Sequence, residues 1–529
     1  SATSYAGLGR DDRLPQQKNG TLMLNYQASK IIINHYKDDK KIDLSYPIFA
    51  IFLDNPSQQL WHKLPEGELL YQRWQQQKQD SHKNNQSTNN ADGLCTFDSM
   101  LPNKIGTPIC ILNLQKQNST FKKLEKIKKH IVKLAKHKPK IINLILMDLN
   151  VDDEETIINH FIACAGSFYT KLPKISQKND DDSNHDLNLF CHNVSQTYDH
   201  SRAIAEVHGN GLTRFLCNLP PNYLYPTTYY QYVQKLAKSS NWNCEFLDLN
   251  TLKQKKAGAY LAVVQGSARQ DAGIIKLSYK PKDLSNKKIT LVGKGLCFDT
   301  GGYNLKTSPG SMYGMGHDMT GSAVALGTFL ALTQLQVPFE IEVWMALAQN
   351  DIGPEAYKPG DVVIASNGMS IEVINTDAEG RMVLCDTLHL ASLEKPDLIF
   401  TFATLTGSCV RALDQLYSGF STNRYQWNSV VTDIGQQCGE RVWSFPYTDD
   451  YDEVLKSDIA DIKQCHEGFA DQIRAARFLG KFIHEDAPWI HIDLSSHAYK
   501  SGLGHIHSET SGFGVRLTLS TLLDSDIVL

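Results

Sequence analysis

Three short segments carry most of the side chains that could do chemistry. Val292–Lys306, VGKGLCFDTGGYNLK, supplies Lys294, Asp299 and Lys306. Gly316–Ser322, GHDMTGS, supplies Asp318, and Ile374–Leu384, INTDAEGRMVL, supplies Asp377, Glu379 and Arg381. One small residue separates Asp377 from Glu379, so an extended backbone there points both carboxylates to one side. If Asp299 and Asp318 converge on them, four negative charges share one cleft. Unpaired, such a cluster raises carboxylate pKa values and opposes folding. Divalent cations are the natural compensation. A donor set of oxygens with at most one nitrogen, and no clustered Cys or His, suits Mn²⁺ or Mg²⁺ beside Zn²⁺. The carboxylates are enough to bridge two ions roughly 3.5–4 Å apart, the spacing of two-metal hydrolases. Taken singly, an Asp-x-Glu pair or a Gly-Lys-Gly loop is ordinary surface. The order of all three segments, each in a Gly-rich or strand-end setting, is what points to a site.

These segments need a scaffold that brings strand ends together. From Leu219 onward, strand-like apolar runs occur at Tyr260–Val264, Ile289–Val292, Ile341–Ala348, Leu398–Phe402 and Trp489–Leu494. Helix-like stretches such as Ser322–Leu335 and Gln472–Ile483 fall between them. Such alternation predicts a mainly parallel sheet covered by helices, with ligands at the carboxyl ends of its strands. The first 200 or so residues differ, being rich in Lys, Asn and Gln. Short runs at Tyr46–Leu53, Pro108–Leu114 and Ile141–Met147 read as strands. Between the last two, Phe121, Leu124, Ile127, Ile131 and Leu134 step by three or four along one helical face. Gln75–Asp92 and Gln177–His185 are almost wholly polar and predict exposed loops. The expectation is an α/β protein of two domains: a small N-terminal α/β domain over residues 1–195 and a larger C-terminal catalytic domain over 196–529. The stretch SRAIAEVHGNGLTRFLCN is predicted to be the connecting helix.

Composition bounds the rest. At 529 residues, with 41% hydrophobic and 21% charged residues, the chain can bury a large core. A net charge of −4 argues against a dedicated nucleic-acid binder. The 11 cysteines are scattered and read as reduced thiols in a cytoplasmic compartment. No apolar run is long enough to cross a membrane, and the first residues do not read as a secretory signal. No GxSxG elbow, Walker loop or GxGxxG fingerprint is present.

The run INTDAEGR resembles the signature of the leucyl aminopeptidase family of dinuclear metallopeptidases. VGKGLCFDTGG is similar to that family's first metal loop, and HDMTGSAVAL to its second. FLCNLPPNYLYP, LAVVQGSA, AYKPGDVVIASNG, ATLTGSCVRAL and SGFGVRL extend the resemblance from about Asn218 to Leu529. The resemblance implies the following roles. Lys294, Asp299, Asp318 and Glu379 would hold the more exchangeable of two ions. Asp299, Asp377 and Glu379 would hold the tighter one. A ligating Lys294 would have to be neutral. Lys306 would be the cationic electrophile, and Arg381 would hold a bicarbonate ion that shuttles a proton. Met315, Thr404, Gly407 and the stretch Ser495–Ala498 would wall the pocket for the first substrate side chain. The implied activity is removal of N-terminal leucine and other apolar residues from short peptides. It would depend on Zn²⁺ or Mn²⁺, with Mg²⁺ or Co²⁺ as other ions. The implied assembly is a homohexamer, a dimer of trimers.

Several signals need separate weighing. Asp493-Leu494-Ser495-Ser496 replaces a more apolar motif, so Ser495 should make the pocket wall slightly more polar. The loop TSPGSMYGMGHDM is about one residue longer than the usual pattern, and Gln349-Asn350 replaces Glu-Asn. Phe121–Lys140 holds nine lysines and one glutamate. It reads as a solvated helix face with a buried stripe, with nucleic-acid contact as the alternative. His491 reads as a core histidine, and His505 and His507 as loop residues. Cys297 reads as a packed thiol. Rival functions are Cys-Gly dipeptide cleavage and a non-enzymatic binding or lattice role.

Overall fold

The computed structural model describes residues 26–37, 42–53, 57–83, 97–116, 118–175, 186–281 and 287–527. Two parallel-rich sheets organise it. The first contains β1 (Ile31–Tyr36), β2 (Ile48–Phe52), β3 (Phe97–Met100), β4 (Pro108–Asn113), β5 (Ile141–Leu146) and β6 (Leu187–His192). Their order is β1-β6-β5-β2-β4-β3, and only the edge strand β3 runs antiparallel. Alternation along β2 explains the layering. Phe49 and Ile51 face helices Thr120–Leu134 and Val151–Tyr169, where they meet Leu124, Ile127, Ile131 and Phe161. Ile48, Ala50 and Phe52 face the opposite layer, packed on Trp61, Leu70 and Trp74. All three strand-like runs expected here are strands, and the helix predicted over 121–134 starts at an N-cap, Ser119.

The second sheet has eight strands: β7 (Asn243–Asp248), β8 (Gly273–Tyr279), β9 (Lys288–Asp299), β10 (Glu340–Asn350), β13 (Leu398–Ala403), β14 (Ser418–Thr422), β15 (Val442–Ser444) and β17 (Trp489–Asp493). Three short strands, β11 (Val362–Ile364), β12 (Ser370–Glu372) and β16 (Ile462–Lys463), form a separate small sheet. The order in the large sheet is β15-β14-β17-β13-β9-β10-β8-β7. The four central strands, β17, β13, β9 and β10, are mutually parallel. Helix Thr320–Gln334 belongs to the core on one face and helix Glu379–Ser392 to the core on the other. The first of these helices lies unusually close to the sheet. A Cβ at Gly321 would stand 2.1 Å from the Phe402 carbonyl oxygen and 2.9 Å from Lys294 N.

Two expectations need correction. Tyr260–Val264 is not a strand; it lies in helix Gly258–Val264. Its continuous apolar pattern suits either element when fully buried, and the alanines at 259 and 262 favour helix. Likewise, the first part of the loop expected over 75–92 continues a helix, Gly67–Lys83. Gln and Lys are good helix formers despite their polarity. Residues 84–92 and 177–185 lie outside the described residues.

The connecting helix spans Ser201–Cys217 and joins the two bodies through polar contacts. Arg214 on it is fully buried. Its guanidinium donates to the Ser167 carbonyl at 3.2 Å and to Ser508 Oγ at 2.9 Å. The lysine-rich helix also faces inward: Lys128 Nζ donates to the Gly502 carbonyl at 3.3 Å, and Arg441 stacks 3.6 Å from the centre of the Phe121 ring.

Candidate functional site

Strand ends of the large sheet position the charged cluster. β9 ends on Asp299 and β10 on Asn350, directly opposite each other in register. Asn350 Nδ2 donates to Asp299 Oδ1 at 2.8 Å, and the Gly301 N–H donates to the same oxygen at 2.9 Å. These bonds aim Asp299 Oδ2 at Lys306 Nζ, 2.8 Å away. Gly301 and Gly302 adopt left-handed φ values of +86° and +61°, which return the chain toward the cleft. Lys306 also pairs with Asp377.

Lys294, inside β9, reaches Asp318 Oδ2 at 2.8 Å and Glu379 Oε1 at 2.9 Å, and donates to the Thr404 carbonyl at 3.0 Å. Asp318 follows the 3-10 turn Gly314–His317, and its Oδ1 accepts from Thr404 Oγ1 at 2.7 Å. Glu379 is the first residue of helix Glu379–Ser392 and is 1% exposed. Asp377 and Glu379 therefore do not lie on an extended segment, as spacing suggested; they straddle a turn that enters a helix. One oxygen each from Asp299, Asp318 and Glu379 lies within 4.8 Å of the others. Asp377 stands outside that trio, about a third exposed, and joins it through Lys306.

Four carboxylates face two ammonium groups. Burial, reinforced by Glu379 and Asp299, pushes Asp318 up to about 8 despite the opposing charge of Lys294. Burial likewise raises Asp377 to about 6, with Lys306 opposing. For Lys294, burial works against the charge, but Asp318, Glu379 and Asp299 outweigh it and its pKa is raised. Its neighbours thus favour the ammonium, the reverse of the neutral ligand the resemblance calls for, and only a nearby cation would change that. Glu379 Oε2 is buried with no hydrogen-bond partner. An excess of carboxylate, an unpartnered buried oxygen and a carboxyl held up near 8 together fit divalent cations.

Arg381, 2% exposed, borders the same cleft of about 670 Å³. Its Nη2 contacts Asp471 Oδ2 at 2.7 Å. A bicarbonate on this guanidinium would meet that carboxylate, and like charges repel, so the residues as arranged do not fit the ion that the resemblance implies.

Met315, Thr404, Gly407 and Ser495 all line the cleft. Ser495 does not make the wall more polar as expected, because its hydroxyl is committed to the Tyr417 carbonyl at 2.6 Å. Among the lining residues given no role from sequence are His317, Asp493 and Arg411. Asp493 ends β17 and accepts from Thr406 Oγ1 at 2.7 Å. Its position, an acid closing a buried strand beside the other carboxylate loops, was the available signal.

Other clusters divide clearly from this one. Asp98, Cys110 and His130 also gather closely. There the Lys133 ammonium already pairs with Asp98, so a cation is supplied by the chain itself. His491 is a buried core histidine bonded to Thr401 Oγ1 at 2.8 Å, and burial lowers it to about 3. Among the described residues, His505 and His507 join no metal-ligating group. Cys297 is fully buried.

Comparison with known proteins places the chain in a family. A family model described as the cytosol aminopeptidase family, catalytic domain, matches residues 211–519. The chain belongs to the cytosol aminopeptidase family. A cytosol aminopeptidase of Buchnera aphidicola subsp. Acyrthosiphon pisum is 34% identical over 394 residues, covering 72% of this chain and 77% of that protein. A probable cytosol aminopeptidase of Dechloromonas aromatica is 38% identical over 303 residues, covering 57% of this chain and 60% of that protein. The chain thus spans less than two thirds of the length of some of these cytosol aminopeptidase relatives. A solved tomato leucine aminopeptidase mutant shares the fold across both bodies, with a TM-score of 0.79 at 24% identity, over 95% of this chain and 98% of that one. Among the described residues, no helix is long and apolar enough to cross a membrane.

Proposed function

We propose that the protein is a metal-dependent aminopeptidase that removes N-terminal residues, leucine and other apolar ones first, from short peptides. The observation that carries this reading is the convergence of Asp299, Asp318 and Glu379 on two lysines inside the family's catalytic domain. Lys294, Asp299, Asp318, Asp377 and Glu379 would hold two divalent ions, Zn²⁺ or Mn²⁺ before Mg²⁺ or Co²⁺. Bound there, such ions supply a hydroxide near neutral pH and Lewis acidity toward a carbonyl.

The chain's own residues do the remaining work. Lys306 is fixed by Asp299 and Asp377 and borders the cleft, where its charge would stabilise the oxyanion that develops at the scissile carbonyl. With ions held at the acidic end of the cleft, a neutral free α-amine of the substrate would have a place to bind there. An internal peptide bond offers none, which explains exopeptidase action. Met315, Thr404 and Gly407 would receive the first side chain of the substrate. The Ser495 hydroxyl proton is tied to the Tyr417 carbonyl and is not free to donate to that side chain. We assign residues 1–195 to an assembly domain and 196–529 to catalysis, with a homohexamer and a cytoplasmic setting as the expected context. The relatives' names support the cytoplasmic setting, and the resemblance alone supports the hexamer.

The test is hydrolysis of a leucine anilide after chelation and re-addition of each ion, beside an Asp377→Ala control. Metal-restored activity missing from the variant supports the proposal. Faster Cys-Gly than leucine hydrolysis moves the substrate class to glutathione-derived dipeptides. A folded, metal-loaded protein inactive on both substrates sinks the aminopeptidase reading.

A further inference from the structure

We propose that Asp471 is the anion Arg381 holds, so that this site works with a carboxylate of its own where the resemblance implies bicarbonate. The inference rests on the aminopeptidase reading for its activity arm only. Arg381 is buried, and its Nη2 lies 2.7 Å from Asp471 Oδ2. Two further atoms of the same pair, Arg381 Nε and Asp471 Oδ1, are buried with no hydrogen-bond partner. Nε and Nη2 form one edge of the guanidinium, and the two oxygens form the edge of a carboxylate. A small rotation of either side chain therefore closes a two-point fork, the geometry that a planar anion on this arginine would otherwise adopt.

The backbone is built to deliver that carboxylate. Asp471 is the first residue of the ten-residue helix Asp471–Gly480, where a negative charge is favoured by the helix dipole. Ala470 before it adopts φ +60° and ψ +31°, a left-handed conformation that is costly for a residue with a Cβ. The turn is held by bonds from the Ile473 and Arg474 N–H groups to the Ala470 carbonyl, at 3.1 and 3.2 Å. A further bond runs from the Gln472 N–H to Ser408 Oγ at 2.9 Å, beside the cleft residue Gly407. Strain that persists at a site is a reason to look for a job done there. The other contact of the Arg381 guanidinium is the Gln464 carbonyl at 3.4 Å, which is uncharged. Asp471 is thus the partner that neutralises it.

The experiment measures binding of ¹³C-bicarbonate by NMR line broadening, together with leucine anilide hydrolysis in CO₂-free buffer with and without added bicarbonate. The wild-type protein is expected to show no saturable bicarbonate binding and rates equal within about twofold. Asp471→Ala is expected to gain bicarbonate binding, to lose about tenfold or more of its rate without bicarbonate, and to recover when the ion is added. Asp471→Asn keeps the shape but not the charge, and carries the same measurements if the alanine variant does not fold. Wild-type binding of bicarbonate that Arg381→Met abolishes would overturn the proposal. So would a folded Asp471→Ala protein that binds none. The binding arm needs no peptidase activity, so an inactive enzyme and an incorrect anion assignment give different results.

Discussion

The two sheets share a plan and differ in what closes their strands. In the first, the carboxyl ends of β4 and β6 carry Asn113 and His192, and β5 carries Asn143 within it. Of these, His192 Nε2 meets Asn143 Oδ1 at 3.1 Å, and Asn143 Nδ2 donates to the Asp43 carbonyl at 3.1 Å. In the second, β9 closes on Asp299 and β17 on Asp493, with Asp318 and Glu379 packed among them. Both sheets bury polar groups, but among the described residues a cluster of buried carboxylates within 4.8 Å of one another, Asp299, Asp318 and Glu379, gathers at the second. Architecture alone therefore does not mark the site; an electrostatic debt at the strand ends does.

The sharpest way to break this contrast is Glu379→Ala. We expect activity to fall by about 10³-fold with the thermal midpoint kept or raised, since a buried like charge is removed. A midpoint that collapses would show that the cluster holds the fold together. The matching change in the first sheet is Leu144→Ala, at a fully buried position. It should cost about 2–5 kcal/mol in urea unfolding while kcat per folded molecule stays unchanged. A parallel loss of kcat would mean that the two sheets do not have separate tasks.

Glu440 sharpens the comparison as a buried carboxylate outside the cleft. It accepts the Gly514 and Leu517 N–H groups at 2.9 Å each, yet burial pushes it up to about 7 from 4.5. The folded state thus keeps its proton to higher pH than the unfolded state. Its contribution is fully present below pH 4.5 and is lost as pH rises through about 7. Glu440→Gln should flatten that fall, which we put at on the order of 2 kcal/mol, in unfolding titrations across this window. An unchanged pH slope would rule out titration of Glu440. The smallest effect is expected for Ser495→Ala. With its hydroxyl committed to Tyr417, leucine over serine selectivity should change by about twofold or less, read from kcat/KM on the two anilides.

Much of the site was legible in sequence because it rests on residue types and their order. The seven charged residues fall around one cleft as the resemblance implied. The reasoning from Asp-x-Glu spacing was nevertheless wrong, since a turn into a helix, not an extended strand, sets the two side chains. Asp471 left no trace in any pattern. It reaches Arg381 from 90 residues away through a strained turn that only tertiary structure reveals. In the fold, β-branched runs such as Ile141–Leu146 declared themselves, whereas the alanine-rich helix at Gly258–Val264 and the glutamine-rich end of Gly67–Lys83 did not. Full burial erases period, and polar helix formers imitate loop.

The segment after β17 serves both bodies. It lines the cleft at Ser495 and His497, then within a dozen residues is gripped by Lys128 at Gly502 and by Arg214 at Ser508. The N-terminal body thereby acts as a buttress behind one wall of the cleft. A fragment trimmed to residues 211–519 would keep every charged residue of the centre and the Arg214–Ser508 bond but lose the Lys128 contact with Gly502. Its amides from 497 to 511 should exchange with deuterium faster than in the whole chain, and its grip on the first substrate side chain should slacken accordingly.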